Sequence, residues 1–449
     1  MASDLSQTDL ARKQIWVAPL TRILTTEVSQ HVGERVLLAG WLYQLRRMGG
    51  VNFLILRDRK GLLQVVLNGV RLLQHILPES VLQVTGLVVA EPRAQGGYEL
   101  HDVEIELLSP VTEALPYPIH IPQVNVHLDT FLDHAIVGLR HPRQRALFRL
   151  SAGLVTGFRS TLDGLDFTEI QSPKLVGAAT ESGANVFEVD YFGRQAYLAQ
   201  SPQFYKQMMT TVFERVYEVG PVFRAEPHDT TRHVNEYVSL DVELAFIQEH
   251  HDVMAMVEKV VGGMIEYLGS HCADEIALLQ VNLPAVPAPF PEIYFPEAQQ
   301  LIFERWGEDC RGEPDLAPQH ERWLGQWARE IYRSDFLFVT GYPMEKRPFY
   351  THPRPSDAKY SNSFDLLFRG TELVTGGQRL HRYQDYLQAA QARGIQPQKI
   401  SGYLEAFRYG AAPHGGFAIG LERFVMQLLG LSNIREATLF PRDLNRITP

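Results

Sequence analysis

Residues 223–243, FRAEPHDTTRHVNEYVSLDVE, hold the densest set of groups that could do chemistry. Arg224 and Glu226 stand two apart, so on one strand they point to the same face. The loop expected from about Pro227 to His233 adds His228, Thr230, Thr231, Arg232 and His233. Guanidinium, imidazole and hydroxyl donors on a short loop suit a flexible polyanion such as a triphosphate. Taken alone, the same pattern fits a solvated, charged hairpin. The second centre is SFDLLFRGTELVTGGQRLH, residues 363–381. Its strands FDLLF and TELV meet at Arg369-Gly370, which puts Asp365 and Glu372 close enough to share one divalent cation. Oxygen ligands suit magnesium, which commonly binds one or two carboxylates plus phosphate oxygens. Gly376 and Gly377 let backbone approach a ligand, and Arg379 offers a planar fork to a carboxylate. Taken alone, an alternating edge hairpin is a plausible reading of Asp365 and Glu372.

Two further segments carry candidates. In QSPQFYKQ, Pro202 opens a helix on which Gln203 and Lys206 share a face at i,i+3 spacing; in isolation they read as solvated surface. GFAIGLER, residues 416–423, runs a glycine-rich strand into a helix with Arg423 in its first turn. A His250-His251 pair is set aside as a metal cue. No third ligand lies at a sensible spacing, and neighbouring histidines do not share a helix face.

In order along the chain, a helix and strand ending near Pro173, FRAE with TTRH, and GFAIGLER resemble motifs 1, 2 and 3 of the class II aminoacyl-tRNA synthetases. LAQSPQFYKQ, the 363–381 segment and the terminal LFPRDLNRITP are similar, more narrowly, to aspartyl enzymes of the archaeal type, including the second aspartyl enzyme of some bacteria. The resemblance runs from about Thr21 to Pro449. It implies an aspartate–tRNA ligase with ATP as substrate and magnesium on Asp365 and Glu372. Arg224 would bridge the amino-acid carboxylate and the α-phosphate, with Glu226 orienting the nucleotide or the tRNA end. Arg232, His233 and Arg423 would hold the outer phosphates, and Tyr237 and Arg423 would cover the two faces of adenine. For aspartate it implies Glu181 and Gln203 at the ammonium, Lys206 and Arg379 at the side-chain carboxylate, and Thr375 where a Ser is common. It implies motif 1 as a homodimer interface. Asparaginyl-tRNA synthetase and a catalytically inactive RNA-binding paralogue are the rival readings.

These groups need elements to hold them. RVYEVGPVF and EYVSLDVELAFI, β-branched and alternating, are expected as paired strands around the donor-rich loop. Leu147, Leu150, Leu154 and Phe158 recur at helical spacing, and residues 251–270 and 316–332 are expected as further helices. SDFLFVTGYP is expected as a buried strand, followed by a loop, KRPFYTHP, over the site. The fold class is α+β: an antiparallel sheet flanked by helices, preceded by an OB-fold barrel. That barrel rests on five β-rich runs between Glu34 and Leu107, with a short helical stretch around Leu72–Ser80. The domain expectation is an extension over 1–18, the OB-fold over 19–112, a proline-marked linker over 113–140 and the catalytic domain over 141–449.

OB-folds hold single-stranded nucleic acid on exposed aromatics with hydrogen-bonding neighbours. Phe53 and Gln64 are the candidates here, although an apolar strand residue such as Phe53 more often packs inward. The resemblance puts Phe53 and Gln64 on the central anticodon base and Arg46 or Arg47 on the anticodon loop. In the enzymes that the chain resembles, strict readers of the third anticodon base carry a Trp and a Lys, and relaxed ones often a His and a Pro, where it has Tyr43 and Gln95, so neither pair is present. The inference is a non-discriminating enzyme that charges tRNA(Asp) and tRNA(Asn) with L-aspartate, linked functionally to a tRNA-dependent amidotransferase.

At 449 residues, 45% hydrophobic and 21% charged, the chain can bury two or three cores. The net charge of −10 argues against coating nucleic acid through bulk charge. The first 112 residues carry equal numbers of acidic and basic groups, so that charge lies in the remainder. Two cysteines exclude a disulfide framework and suggest a cytoplasmic setting. No secretory signal or membrane span is expected.

Overall fold

A computed structural model describes residues 20–48, 51–67, 76–177, 185–227 and 229–449. The chain divides into two compact units, residues 1–125 and 126–449. The first is built on β1 (Arg35–Met48), β2 (Val51–Arg57), β3 (Leu62–Leu67), β4 (Val81–Ala90) and β5 (Tyr98–Ser109). They close into a barrel of order β1-β2-β3-β5-β4. Closure depends on β1, which pairs with β4 through Arg35–Trp41 and with β2 through Trp41–Met48. A bulge between Leu42 and Gln44 bends the strand between its two partners. The period-2 pattern sends Leu54, Leu56, Leu63, Val65, Leu82, Val84 and Leu100 into one core. The helical stretch expected around Leu72–Ser80 lies mostly outside the described residues, and 76–80 form a turn.

The second unit begins with α1 (Leu128–Asp133), α2 (Ala135–Gly138) and α3 (Pro142–Asp163), so the second half of the 113–140 segment is helical. Then come β6 (Thr168–Glu169), β7 (Leu175–Val176), β8 (Glu188–Tyr191), β9 (Arg194–Leu198), α4 (Gln203–Phe213), β10 (Arg215–Phe223) and β11 (Glu236–Ala245). Next are α5 (His250–His271), α6 (Ala273–Leu279), β12 (Glu292–Tyr294), α7 (Phe295–Trp306), α8 (Pro318–Tyr332) and β13 (Phe336–Thr340). The chain finishes through β14 (Pro353–Arg354), β15 (Asp357–Ser361), β16 (Ser363–Phe368), β17 (Thr371–Gln378), α9 (Tyr383–Ala392), α10 (Ser401–Arg408), β18 (His414–Gly420) and α11 (Leu421–Leu429). Eight strands form one sheet of order β12-β13-β16-β17-β18-β11-β10-β6. Its interior is antiparallel, with a parallel pair at each edge. No described helix is long and apolar enough to cross a membrane.

The core is continuous from α3 and α5 to the sheet, through Leu154, Phe158, Val257, Val261, Phe364, Phe417 and Ile419. Glycines set how closely α3 meets α5: a Cβ on Gly157 would lie 2.9 Å from the Met264 Cα, and one on Gly153 would lie 2.7 Å from a Leu268 methyl. Because Met264 meets Gly157 with helix backbone, relief requires moving a helix. We therefore expect Gly157→Val to destabilise the chain by about 1–3 kcal/mol through overpacking, read as a lower urea midpoint; an unchanged midpoint would show that this contact has slack.

Candidate active site

β10 and β11 pair in register from Arg215–Leu244 to Phe223–Glu236. Arg224 and Glu226 therefore lie just beyond the strand, in the connecting loop, rather than on it. The Arg224 amide still donates to Asn235 O (2.9 Å), which keeps the loop base ladder-like. An ion pair of 3.9 Å joins Arg224 to Glu226, and the Arg224 guanidinium lies 5.7 Å from the Tyr237 ring centroid. His233 contacts Thr230 through Nδ1 (2.6 Å) and Glu226 through Nε2 (3.7 Å). Arg224, Glu226, Arg232, His233, Tyr237, Glu372 and Arg423, the whole nucleotide set, line one cavity. His228 and Glu181 lie outside the described residues.

An adjoining cavity is lined by Gln203, Lys206, Arg347, Thr375 and Arg379 and shares Arg224, Tyr237, Ser239, Glu372, Thr375 and Ala418 with the first. The loop following Met344–Lys346 covers it through Arg347, Pro348, Tyr350 and Thr351. Gln203 is buried, and its amide has no partner at the Nε2 position. A half-turn of the amide exchanges donor for acceptor, so that end can meet an ammonium. Lys206 and Arg379 are buried. They are not free cations but meet on Glu243, whose Oε2 lies 3.4 Å from Lys206 Nζ and whose Oε1 accepts from Arg379 Nε (3.0 Å). Lys206 also donates to Asp241 Oδ1 (2.9 Å). Burial works against a charged Glu243, but Arg379 and Lys206 outweigh it and hold the carboxyl below its usual range. Asp241 and Glu243 were missed from the sequence, yet two acids spaced by one residue among Leu240, Val242 and Leu244 are a legible signal.

Asp365 is directly opposite Thr375 in the β16–β17 ladder. The Thr375 hydroxyl donates to Glu372 Oε1 (3.0 Å), and Arg423 Nη1 reaches the Glu372 carbonyl (3.0 Å) and carboxylate (3.3 Å). Asp365 pairs with Arg347 (3.0 Å), while its buried Oδ1 has no hydrogen-bond partner. Burial raises the Asp365 carboxyl; at Glu372 burial is outweighed, chiefly by Arg423, and the carboxyl is lowered. An orphaned carboxylate oxygen beside an ionised carboxylate fits a hard divalent cation. Asp365 lines neither cavity as given by the surrounding residues. A Cβ on Gly376 would strike the Phe364 ring (2.5 Å) and one on Gly377 the Asn362 carbonyl (2.7 Å), so both glycines serve strand packing, and Gly376 also lines the second cavity.

In the barrel, Phe53 stands opposite Arg46 and Val66, and Gln64 opposite Ile55. Phe53 and Gln64 are therefore diagonal neighbours on one face, opposite in phase to the core residues Leu54, Leu56, Leu63 and Val65. Phe53 thus stands on the outer face, against the inward preference of a strand aromatic. Gln64 donates to Glu99 (2.8 Å), and exposed Arg46 to Gln44 (3.0 Å). Tyr43 sits at the β1 bulge, edge-on to His120 at 4.7 Å. Gln95 is exposed in the turn between β4 and β5.

Residues 127–444 match the family described as tRNA synthetases class II (D, K and N), and residues 36–108 the OB-fold nucleic acid binding domain. The chain belongs to the class II tRNA synthetases (D, K and N). Within that family it is 48% identical over 428 residues to a protein of Thermus thermophilus named aspartate–tRNA(Asp/Asn) ligase, covering 95% of this chain and 100% of the relative. The same name is given to a Deinococcus radiodurans protein, 46% identical over 437 residues, with 96% and 100% covered. A solved structure of asparaginyl-tRNA synthetase from Pyrococcus horikoshii, complexed with asparaginyl-adenylate, superposes with a TM-score of 0.89 at 32% identity, covering 96% of this chain and 100% of that one.

Glu321, in the first turn of α8, gave no sign in the sequence: a lone acid there reads as an ordinary helix start. It accepts the Glu372 amide (3.2 Å) and lies 3.9 Å from Arg232. Burial, reinforced by the Glu372 charge, pushes its carboxyl up to about 7. Below that pH it is neutral; above it, the anion, which stands behind the cavity wall, competes for Arg232 and repels a polyanion in the neighbouring cavity. KM for ATP at saturating magnesium should therefore rise between pH 6 and pH 8, and Glu321→Gln should flatten the rise. An identical pH profile in the variant would remove Glu321 from the site.

Proposed function

We propose that this chain is an aspartate–tRNA ligase that activates L-aspartate with ATP and charges both tRNA(Asp) and tRNA(Asn). The observation that carries the reading is the pair of adjoining cavities meeting at Arg224, Glu372 and Thr375, one ringed by phosphate-binding donors and the other floored by Lys206 and Arg379. The α-carboxylate of aspartate is already a nucleophile, so its oxygen attacks the α-phosphorus, the bond to the bridging oxygen breaks and pyrophosphate leaves. No proton is abstracted. Positioning and charge neutralisation supply the rate. Arg224 lies at the junction and bridges the carboxylate and the α-phosphate. Arg232, His233 and Arg423 hold the outer phosphates, while Tyr237 and Arg423 take the adenine. Asp365 and Glu372 would hold magnesium, which neutralises phosphate charge when bound. In the second step the terminal tRNA hydroxyl attacks the activated carbonyl carbon and AMP leaves.

Aspartate and asparagine are close in size, so selection rests on polarity. An amide NH2 set against Lys206 and Arg379 places donor against donor, and a buried mispairing of this kind can reject an analogue by roughly 10^4-fold. The superposition with an asparaginyl enzyme shows the common fold and leaves this choice to the side chains. Relaxed anticodon reading is supported by the names of the 46–48% identical relatives. It is also supported by Gln95, which supplies no cation, and by Tyr43, whose edge-on packing gives a smaller stacking surface than Trp. Aspartylated tRNA(Asn) then requires an amidotransferase. A homodimer belongs to the same reading, supported by the exposed apolar side chains Leu439, Phe440, Leu444 and Ile447.

ATP–pyrophosphate exchange should depend on aspartate, and exchange driven better by asparagine would transfer the chain to the asparaginyl branch. Both tRNA transcripts should be aspartylated at one salt concentration; a preference of roughly 100-fold or more for tRNA(Asp) would refute relaxed reading alone. Glu372→Gln removes one anionic ligand, so exchange should fall at least ~10-fold and recover partly at high magnesium. A variant unaffected at limiting magnesium would make the carboxylate pair structural.

A further inference from the structure

Away from both cavities, a cluster of ligating side chains sits where α5 begins. Glu249, still extended (φ −155°, ψ −173°), precedes the first helical residue His250. That change of direction lets three consecutive side chains converge, which a continuous helix would forbid. One donor atom from each of Glu249, His250 and His251 lies within 4.8 Å of the others. The third ligand that the spacing of the histidine pair did not reveal is therefore the residue immediately before it.

We propose that Glu249, His250 and His251 form a binding site for a zinc-class divalent cation. His250 is 4% exposed, and its Nδ1 is buried with no hydrogen-bond partner, 3.8 Å from Glu249 Oε2. A buried imidazole nitrogen facing a carboxylate without a bond is an unmet demand. His251 lies between two carboxylates, with Nδ1 3.1 Å from Glu249 Oε1 and Nε2 3.3 Å from Glu292 Oε2 on β12. A neutral imidazole has one N–H. Donated to Glu292, it leaves the Nδ1 lone pair facing Glu249, and a cation between them resolves the conflict. Metal-bound histidines commonly give their other N–H to a carboxylate. Glu292 is fixed for that part, since its Oε1 accepts from the Thr340 hydroxyl (2.8 Å).

Two imidazoles and one carboxylate suit zinc, cobalt or nickel rather than magnesium. Zinc holds nitrogen and oxygen donors at about 2.0–2.2 Å, hence roughly 3.4 Å from one another. The needed contraction falls on the exposed side chains of Glu249 and His251. The positive end of α5 works against a cation, and Asp252, which accepts from the Gln248 and Glu249 amides, offsets it. Through His251 and Glu292, a bound ion would join the start of α5 to the sheet edge at β12. The competing occupant is a proton on His251, which needs no metal.

The test uses tag-free, full-length chain stripped with a chelator and titrated with zinc by calorimetry, with cobalt absorption as a second signal. One zinc per chain should bind and raise the thermal midpoint, unaffected by magnesium. His251→Gln and Glu249→Gln should each weaken binding at least ~10-fold and Glu292→Gln about 10-fold. Melting curves without zinc check that these variants, which spare buried His250, fold. Absence of saturable binding at micromolar zinc, or wild-type affinity in both ligand variants, would overturn the proposal.

Discussion

Four buried charges on the floor of the amino-acid cavity are the constraint to which the second unit is fitted. Lys206 from α4, Asp241 and Glu243 from β11 and Arg379 after β17 are all buried. Their formal charges cancel. No member can be removed alone without leaving a buried charge uncompensated, a change that typically destabilises by about 3–5 kcal/mol. Each cation also reaches backbone carbonyls of β18, Lys206 that of Phe417 (3.1 Å) and Arg379 that of Gly416 (3.0 Å). Three strands and a helix are thus fixed to one another at the place where the proposed reading sets the substrate carboxylate. The cluster is preorganised, so a ligand orders little on arrival.

A second buried network stands behind it. Gln207, one position after Lys206, donates to Tyr386 (3.0 Å), meets His414 Nε2 (3.0 Å) and accepts from Tyr403 (2.9 Å). His414 Nδ1 faces the Ala412 carbonyl (3.0 Å), which assigns the proton to Nδ1 and the acceptor role to Nε2. Burial, the leading cause, lowers the His414 pKa to about 4, so the ring is neutral at pH 7 and leaves Glu243 to the two cations. The phosphate side is built differently. Its cations come from the β10–β11 loop and, for Arg423, from the start of α11, and they contact Glu226, Glu321 and Glu372, groups that a polyanion can displace or exploit. On the proposed reading, rigid recognition of a small acid and adaptable recognition of a triphosphate are thus segregated on one sheet.

Much of this was legible in the sequence, and the reason differs by element. Long helices such as α3 and α5 announce themselves through 3.6-residue apolar spacing, and the β10–β11 hairpin through alternation around a donor-rich loop. Side chains that contact substrates carry unusual polarity and stand out by type. What stayed hidden depends on contacts distant in sequence: Glu321 gains meaning only when α8 meets β17 and the Arg232 loop, 89 residues away. The placement of Phe53 on the outer barrel face depends on strand phase across three strands, which one strand alone does not fix. The pairing of Lys206 and Arg379 on Glu243 is likewise invisible until α4 and two strands converge.

The glycines of β18 show how a pattern can be noticed for one reason and exist for another. HGGFAIG invites a reading as a phosphate-approach segment. A Cβ on Gly416, however, would fall 2.1 Å from Glu243 Oε2 and 2.2 Å from the Val242 carbonyl, and one on Gly415 would meet the Gly377 carbonyl at 2.7 Å. Gly416 is bare so that the Glu243 carboxylate can lie against the strand, between the two cations that it aligns. Its carbonyl then accepts from Arg379. Any side chain at this position would push the carboxylate away from Arg379 and Lys206, and the charges would lose their pairing before they met a substrate. On the proposed reading the glycine pattern therefore belongs to amino-acid recognition as much as to the nucleotide, and its constraint is transmitted through a carboxylate that no motif marks.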